Sequence, residues 1–124
     1  MKRATLLVLL FVLLLLGVVL YYTFQSPYLV SSAEAKRLIS DKKIDVVLDV
    51  RTKIEYNLGH YPEALHIPTA NLQDQAETLI PDKSTRILVY CNTGQRARYA
   101  TDLLRAKGYK DVKYIAGTYT TLLR

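Results

Sequence analysis

Three short apolar runs set the limits on what this chain can fold into: DVVLDV (45–50), RILVY (86–90) and VKYIAG (112–117). The first two are near-continuous and rich in valine and isoleucine, as expected of strands buried on both faces. The segments between and around them carry helical patterns. VSSAEAKRLISDK (30–42) reads as a helix with Ser31 and Glu34 spaced as a capping box, and Thr52 and Glu55 repeat that spacing at the head of TKIEYNLG, which Gly59 ends. NLQDQAETLI (71–80) is an amphipathic helix stopped by Pro81. RARYATDLLRAKG (96–108) sets Ala97, Ala100, Leu103 and Leu104 at helical spacing, with Gly108 as its stop, and TYTTLLR (118–124) reads as a last short helix. Strands alternating with helices of this size predict an α/β domain with a parallel sheet covered on both faces.

The first 25 residues are of another kind. After Lys2 and Arg3, the run ATLLVLLFVLLLLGVVLYY (4–22) holds no charge. At about 1.5 Å per residue it comes close to crossing a hydrocarbon core of about 30 Å. A cleavable secretory signal has a shorter apolar region closed by small residues, whereas bulky TFQSPYLV follows here. The expectation is an uncleaved signal anchor over residues 1–25, one transmembrane helix, followed by one domain over 26–124. Lys2 and Arg3 precede the span and residues 23–33 after it carry no lysine or arginine, so the domain is expected outside the cytoplasm, in the periplasm of a bacterium, with Tyr21 and Tyr22 at the interface.

Removing Lys2 and Arg3 from the net charge of +6 leaves +4 on the domain, without a basic helix or an aromatic-interleaved basic strand. That pattern argues against nucleic acid as a partner and suits a soluble surface near an anionic membrane. His60 and His66 flank a proline-containing turn and lack the further ligands a metal site needs, so no metal or cofactor is expected. Glu55 reads as the far end of a cap.

The chain has one cysteine, in CNTGQRAR (91–98), and so has no internal disulfide. In parallel α/β sheets the working site lies beyond the carboxyl ends of the strands, which is where Cys91 falls. Gly94 can take a positive φ and turn successive N–H groups toward one point, and the helix opening near Arg96 adds its positive end. Such a setting stabilises a thiolate, the nucleophilic form of cysteine. Arg98 reads either as facing a substrate or as part of a surface helix.

The segments LDVRTKIEYNLGHYPEALHIP (48–68), ILVYCNTGQRA (87–97) and GYKDVKYIAG (108–117) resemble the rhodanese-like domain in order and spacing. The resemblance implies a five-stranded parallel sheet with helices on both faces, and sulfurtransferase chemistry. Cys91 would take a sulfane sulfur from a donor such as thiosulfate, hold it as a persulfide and pass it to cyanide or a thiol, including a thiol carried by a protein. The amides of Asn92, Thr93, Gly94, Gln95 and Arg96 would cradle the outer sulfur, and Arg96 would hold the anionic donor. Asp49 and Arg51 correspond to the strand-end pair that buttresses the loop. Where the family usually has two glycines, then an aromatic and often a tryptophan, this chain has Ala116, Gly117 and Tyr119, and no tryptophan.

Two rival functions compete with sulfur transfer. Cysteine-dependent phosphatases place five residues between cysteine and arginine; four separate Cys91 from Arg96, and the fifth position is Ala97. The other rival is a tethered module that binds a partner or stores sulfur without turnover, since fold alone does not settle function.

Overall fold

The computed structural model describes residues 2–123, and all of their side chains except those of Tyr22 and Thr23. The interfacial side chain expected of Tyr22 and the end of the last helix at Arg124 therefore lie outside the described residues. Strands β1 (Val46–Asp49), β2 (Leu65–His66), β3 (Arg86–Tyr90) and β4 (Asp111–Tyr114) form a parallel sheet in the order β2-β1-β3-β4. Helices α2 (Ser32–Ser40), α3 (Lys53–Leu58), α4 (Thr69–Leu79) and α5 (Gln95–Ala106) surround it, with a 3-10 turn at Tyr119–Leu122, and α1 (Lys2–Phe24) precedes them outside the core.

The sheet has four strands where five were expected. At the place of a fifth, Leu29 makes one parallel bridge to Tyr114, whose N–H donates to Tyr28 C=O at 3.0 Å while its C=O accepts from Val30 N–H at 2.9 Å. Pro27 has no N–H to extend the ladder, and Ser31 caps α2 two residues later, so no length remains for a strand. Strand β2 carries no signal of its own in the sequence, because its two residues sit inside a segment that reads as a turn. It exists by pairing, Leu48 beside Leu65 and Asp49 beside His66. Helix α4 starts two residues earlier than its apolar pattern, directly after Pro68, whose C=O accepts from Asn71 N–H. The capping box at Thr52 and Glu55 is complete. At Ser31 the hydroxyl accepts from Glu34 N–H, and the Glu34 carboxylate turns to Arg37 instead.

Side chains alternate across each strand, which divides the core in two. Leu48, Val50, Ile87 and Val89 pack with Leu72 and Ala76 of α4 and Ala97, Ala100 and Leu104 of α5. On the other face, Val47, Leu88 and Tyr90 pack with Ala35 of α2 and with Leu122. Each fully buried leucine or isoleucine contributes about 1.5–3 kcal/mol, so truncating Leu88 to alanine costs about 2–5 kcal/mol once the cavity is included.

The register sets Asp49 beside Tyr90, so β1 and β3 end level with each other. Cys91 and Arg51 both leave the sheet at that end. The segment Lys2–Tyr21 of α1 is apolar and long enough to cross a membrane, and none of it is buried against the domain.

Candidate active site

Cys91 follows the last residue of β3 and is buried, 1% exposed. The loop behind it turns back on the sulfur because Gly94 takes φ +100°, and Gly94 N–H then donates to Cys91 Sγ at 3.1 Å. A side chain at Gly94 would be strained by that φ, and its Cβ would stand 3.0 Å from Ala116 Cα. The close approach of the two segments therefore depends on Gly94. Ala116, where a glycine was expected, is exposed. Gly94 also caps α5, so the positive end of a 12-residue helix adjoins the thiol.

The loop side chains diverge from the sulfur. Asn92, Thr93 and Gln95 are exposed, and the Thr93 hydroxyl donates to the Gln95 side chain. Arg96 is held by Glu55: Nη1 donates to Oε1 at 2.7 Å and Nη2 to Oε2 at 3.0 Å, while Asn92 Nδ2 donates to Oε2 at 2.5 Å. The same Glu55 Oε1 accepts from Thr52 N–H at the head of α3. One carboxylate thus caps α3 and ties it to the cysteine loop. The hydrogen bonds from Arg96, with those from Thr52, hold the Glu55 carboxyl well below its ordinary range, and Glu55 raises the Arg96 guanidinium in turn. A depression of about 390 Å³, lined by Thr69, Ala70, Gln95, Arg96 and Tyr99, opens beside that pair.

Beneath the loop lies a buried ionic cluster. Arg51 Nη2 donates to Asp49 Oδ2 at 2.7 Å and to Gly59 C=O at 2.6 Å, and both side chains of the ion pair are almost fully buried. The Tyr90 hydroxyl donates to Asp49 Oδ2 at 2.6 Å and accepts from Tyr61 N–H at 3.0 Å. Burial and the Asp49 bond push Tyr90 above its ordinary pKa, so it remains a donor. Burial works against the Arg51 charge, but the bonds and charge of Asp49 outweigh it and its pKa is raised. The cluster links the end of β1, the end of α3 and the residue that immediately precedes Cys91. Tyr119 closes it from above, with the Arg51 guanidinium 5.3 Å from its ring centroid.

Two histidines pack around Tyr56 of α3. His60 and His66 both stack on the ring of Tyr56, at centroid distances of 3.7 and 4.3 Å. Their nitrogens are engaged by backbone, His60 Nδ1 with Tyr56 C=O at 2.9 Å and His66 Nε2 with Arg51 C=O at 2.7 Å. Arg98 turns away from the loop, and its Nη1 donates to Phe24 C=O at the end of α1, 3.0 Å away. The residues that the sequence reading missed are Tyr90, as partner of Asp49, and Glu55, as partner of Arg96. The Thr52–Glu55 spacing carries a cap signal but no sign of a partner 41 residues away.

The profile of the Rhodanese-like domain family matches residues 31–123. Among curated proteins, the chain is 33% identical over 70 residues to thiosulfate sulfurtransferase PspE of Escherichia coli, covering 56% of this chain and 67% of that one. It is 34% identical over 90 residues to a tRNA uridine(34) hydroxylase of Erwinia tasmaniensis, covering 69% of this chain but 25% of the relative. The chain therefore spans about a quarter of the length of the hydroxylases it matches. Among solved structures, the human single-domain sulfurtransferase TSTD1 superposes with a TM-score of 0.66 at 28% identity, over 79% of this chain and 96% of that one.

Proposed function

We propose that this chain, which belongs to the rhodanese-like domain family, is a membrane-anchored sulfurtransferase that carries a sulfane sulfur on Cys91. The observation that carries the reading is the bond from Gly94 N–H to Cys91 Sγ, inside a loop with four residues between cysteine and arginine. A donor already aimed at the sulfur stabilises the charge of a persulfide carried there. The short ring suits one sulfur atom better than a tetrahedral phosphoryl group.

In the first half-reaction the Cys91 thiolate attacks the outer sulfur of thiosulfate; the new S–S bond forms as the old one breaks, and sulfite leaves with the bonding pair. The persulfide keeps one negative charge, facing the amides of Asn92 to Arg96 and the positive end of α5. In the second half-reaction cyanide or a thiolate takes the outer sulfur, leaving thiocyanate or a new persulfide, and the Cys91 thiolate returns. Arg96 attracts the anionic donor once it exchanges Glu55 for it. Asp49 and Arg51 act at one remove, by fixing the strand end that bears Cys91. Helix α1 remains as the anchor, and the charge of Lys2 and Arg3 at its N-terminal end supports a domain outside the cytoplasm.

The test is turnover by the full-length protein in detergent. Thiocyanate should form from thiosulfate and cyanide, and the Cys91→Ser protein should form none. The Glu55 carboxylate on Arg96 favours a second reading, a tethered module that stores sulfur or binds a partner. Persulfide formation without thiocyanate release would select it.

A further inference from the structure

We propose that the domain rests on the bilayer with the carboxyl end of its sheet, so that the mouth beside Arg96 opens at the lipid–water interface. The proposal rests on α1 being a retained anchor. A chain of three hydrogen bonds connects the thiol to the end of that helix: Gly94 N–H to Cys91 Sγ at 3.1 Å, Arg98 N–H to Gly94 C=O at 2.8 Å, and Arg98 Nη1 to Phe24 C=O at 3.0 Å. The last carbonyls of a helix lack partners within it and are stabilised by a cation, which Arg98 supplies.

The connection between anchor and domain is short and held. A single residue, Gln25, separates Phe24 from the buried Ser26, whose hydroxyl accepts from Tyr28 N–H, and Arg105 lies over the Tyr28 ring at 3.5 Å. No flexible linker lets the domain swing away. The apolar span ends at Tyr21 and three residues of helix follow before Arg98 takes hold. At about 1.5 Å per helical residue those three residues carry the chain roughly 5 Å beyond the span, and the three hydrogen bonds lead from there to the thiol.

The surface at that end is the right kind. Outside α1, the three most exposed large apolar side chains among the described residues are Leu58 at 85%, Ile54 at 75% and Tyr99 at 57%. Ile54 and Leu58 are one turn apart on α3, adjoining the Glu55 that holds Arg96. Tyr99 lines the depression beside Arg96 and follows Arg98. Leucine and isoleucine at such exposure gain from lipid contact, tyrosine is favoured at the interface, and the net positive domain is drawn to anionic headgroups.

The chain has no tryptophan, so a single introduced one reports its own depth. The full-length Leu58→Trp and Tyr99→Trp proteins are reconstituted separately in phosphatidylcholine–phosphatidylglycerol vesicles brominated near the headgroup. Leu13→Trp serves as the reference for the anchor, and Lys110→Trp, exposed at the opposite end of the sheet, as the reference for water. Quenching of Leu58→Trp and Tyr99→Trp should be several-fold stronger than that of Lys110→Trp. If Leu13→Trp is quenched by deeply brominated lipid while positions 58 and 99 behave like position 110, the apposition is overturned and the anchor stands. If Leu13→Trp is unquenched at every depth, the anchor reading fails and the apposition fails with it.

Discussion

Glu55 and Arg96, 41 residues apart, are joined by a two-pronged ion pair across the mouth of the cysteine loop. The guanidinium expected to receive an anionic donor is already neutralised, so a donor has to compete with a carboxylate. Glu55→Gln removes the charge while keeping a residue that completes a capping box. The KM for thiosulfate should fall several-fold in that variant. Arg96→Ala should raise it, by about 1.5–3 kcal/mol of lost charged hydrogen bonding, and more so because the Glu55 carboxylate is left facing the donor. The double variant should recover part of that loss, a coupling that a thermodynamic cycle measures directly. A KM that rises in Glu55→Gln would show that the carboxylate orients Arg96 rather than occupying it.

Acid should loosen the same contact. The Glu55 carboxyl lies below its ordinary value of 4.5, chiefly through its bond from Arg96. A lowered folded-state pKa contributes stability above the unfolded value and loses it as pH falls through the folded one. Thermal unfolding followed by circular dichroism should therefore show a declining Tm below about pH 4.5, less steeply for Glu55→Gln than for the wild type. Equal slopes would mean that the pair adds nothing to folding.

Thr101, in the middle of α5, is fully buried, and its hydroxyl has no hydrogen-bond partner among the described residues. Valine has nearly the same shape without the polar atom. Thr101→Val should stabilise the protein by about 1 kcal/mol, the lower range of the cost of an unsatisfied buried hydroxyl, seen as a higher Tm. A lower Tm would show that the hydroxyl is satisfied in solution.

What could be read from the sequence was what short stretches encode. The valine-rich runs of β1 and β3, the Thr52 cap and the placement of Cys91 before Gly94 are all local patterns, and the fold carries them. Strand β2 is two residues long and is defined by its partner Leu48, not by its own composition. The Asp49–Tyr90 bond needs the register of two strands 41 residues apart, which no local pattern states. Arg98 was ambiguous for the same reason, since its partner Phe24 lies 74 residues away. The expected fifth strand came from family resemblance, and Pro27 with the Ser31 cap cut it to one bridge.

Topology has its own assay. With Lys2 and Arg3 at the N-terminal end of α1, a membrane-impermeant protease added to intact spheroplasts should digest the domain. Digestion only after lysis would reverse the orientation, and release of the domain from the membrane fraction would mean that α1 is cleaved.

The most direct test of the Cys91 carrier is the intact mass of the full-length protein after exposure to thiosulfate. One transferred sulfur should add about 32 Da, cyanide should remove it, and no second cysteine exists to resolve it as an internal disulfide. The Cys91→Ser protein, folded by circular dichroism, should show neither change. An unaltered wild-type mass with thiosulfate and with other sulfane donors, together with hydrolysis of an aryl phosphate, would contradict the account and give the loop to phosphate.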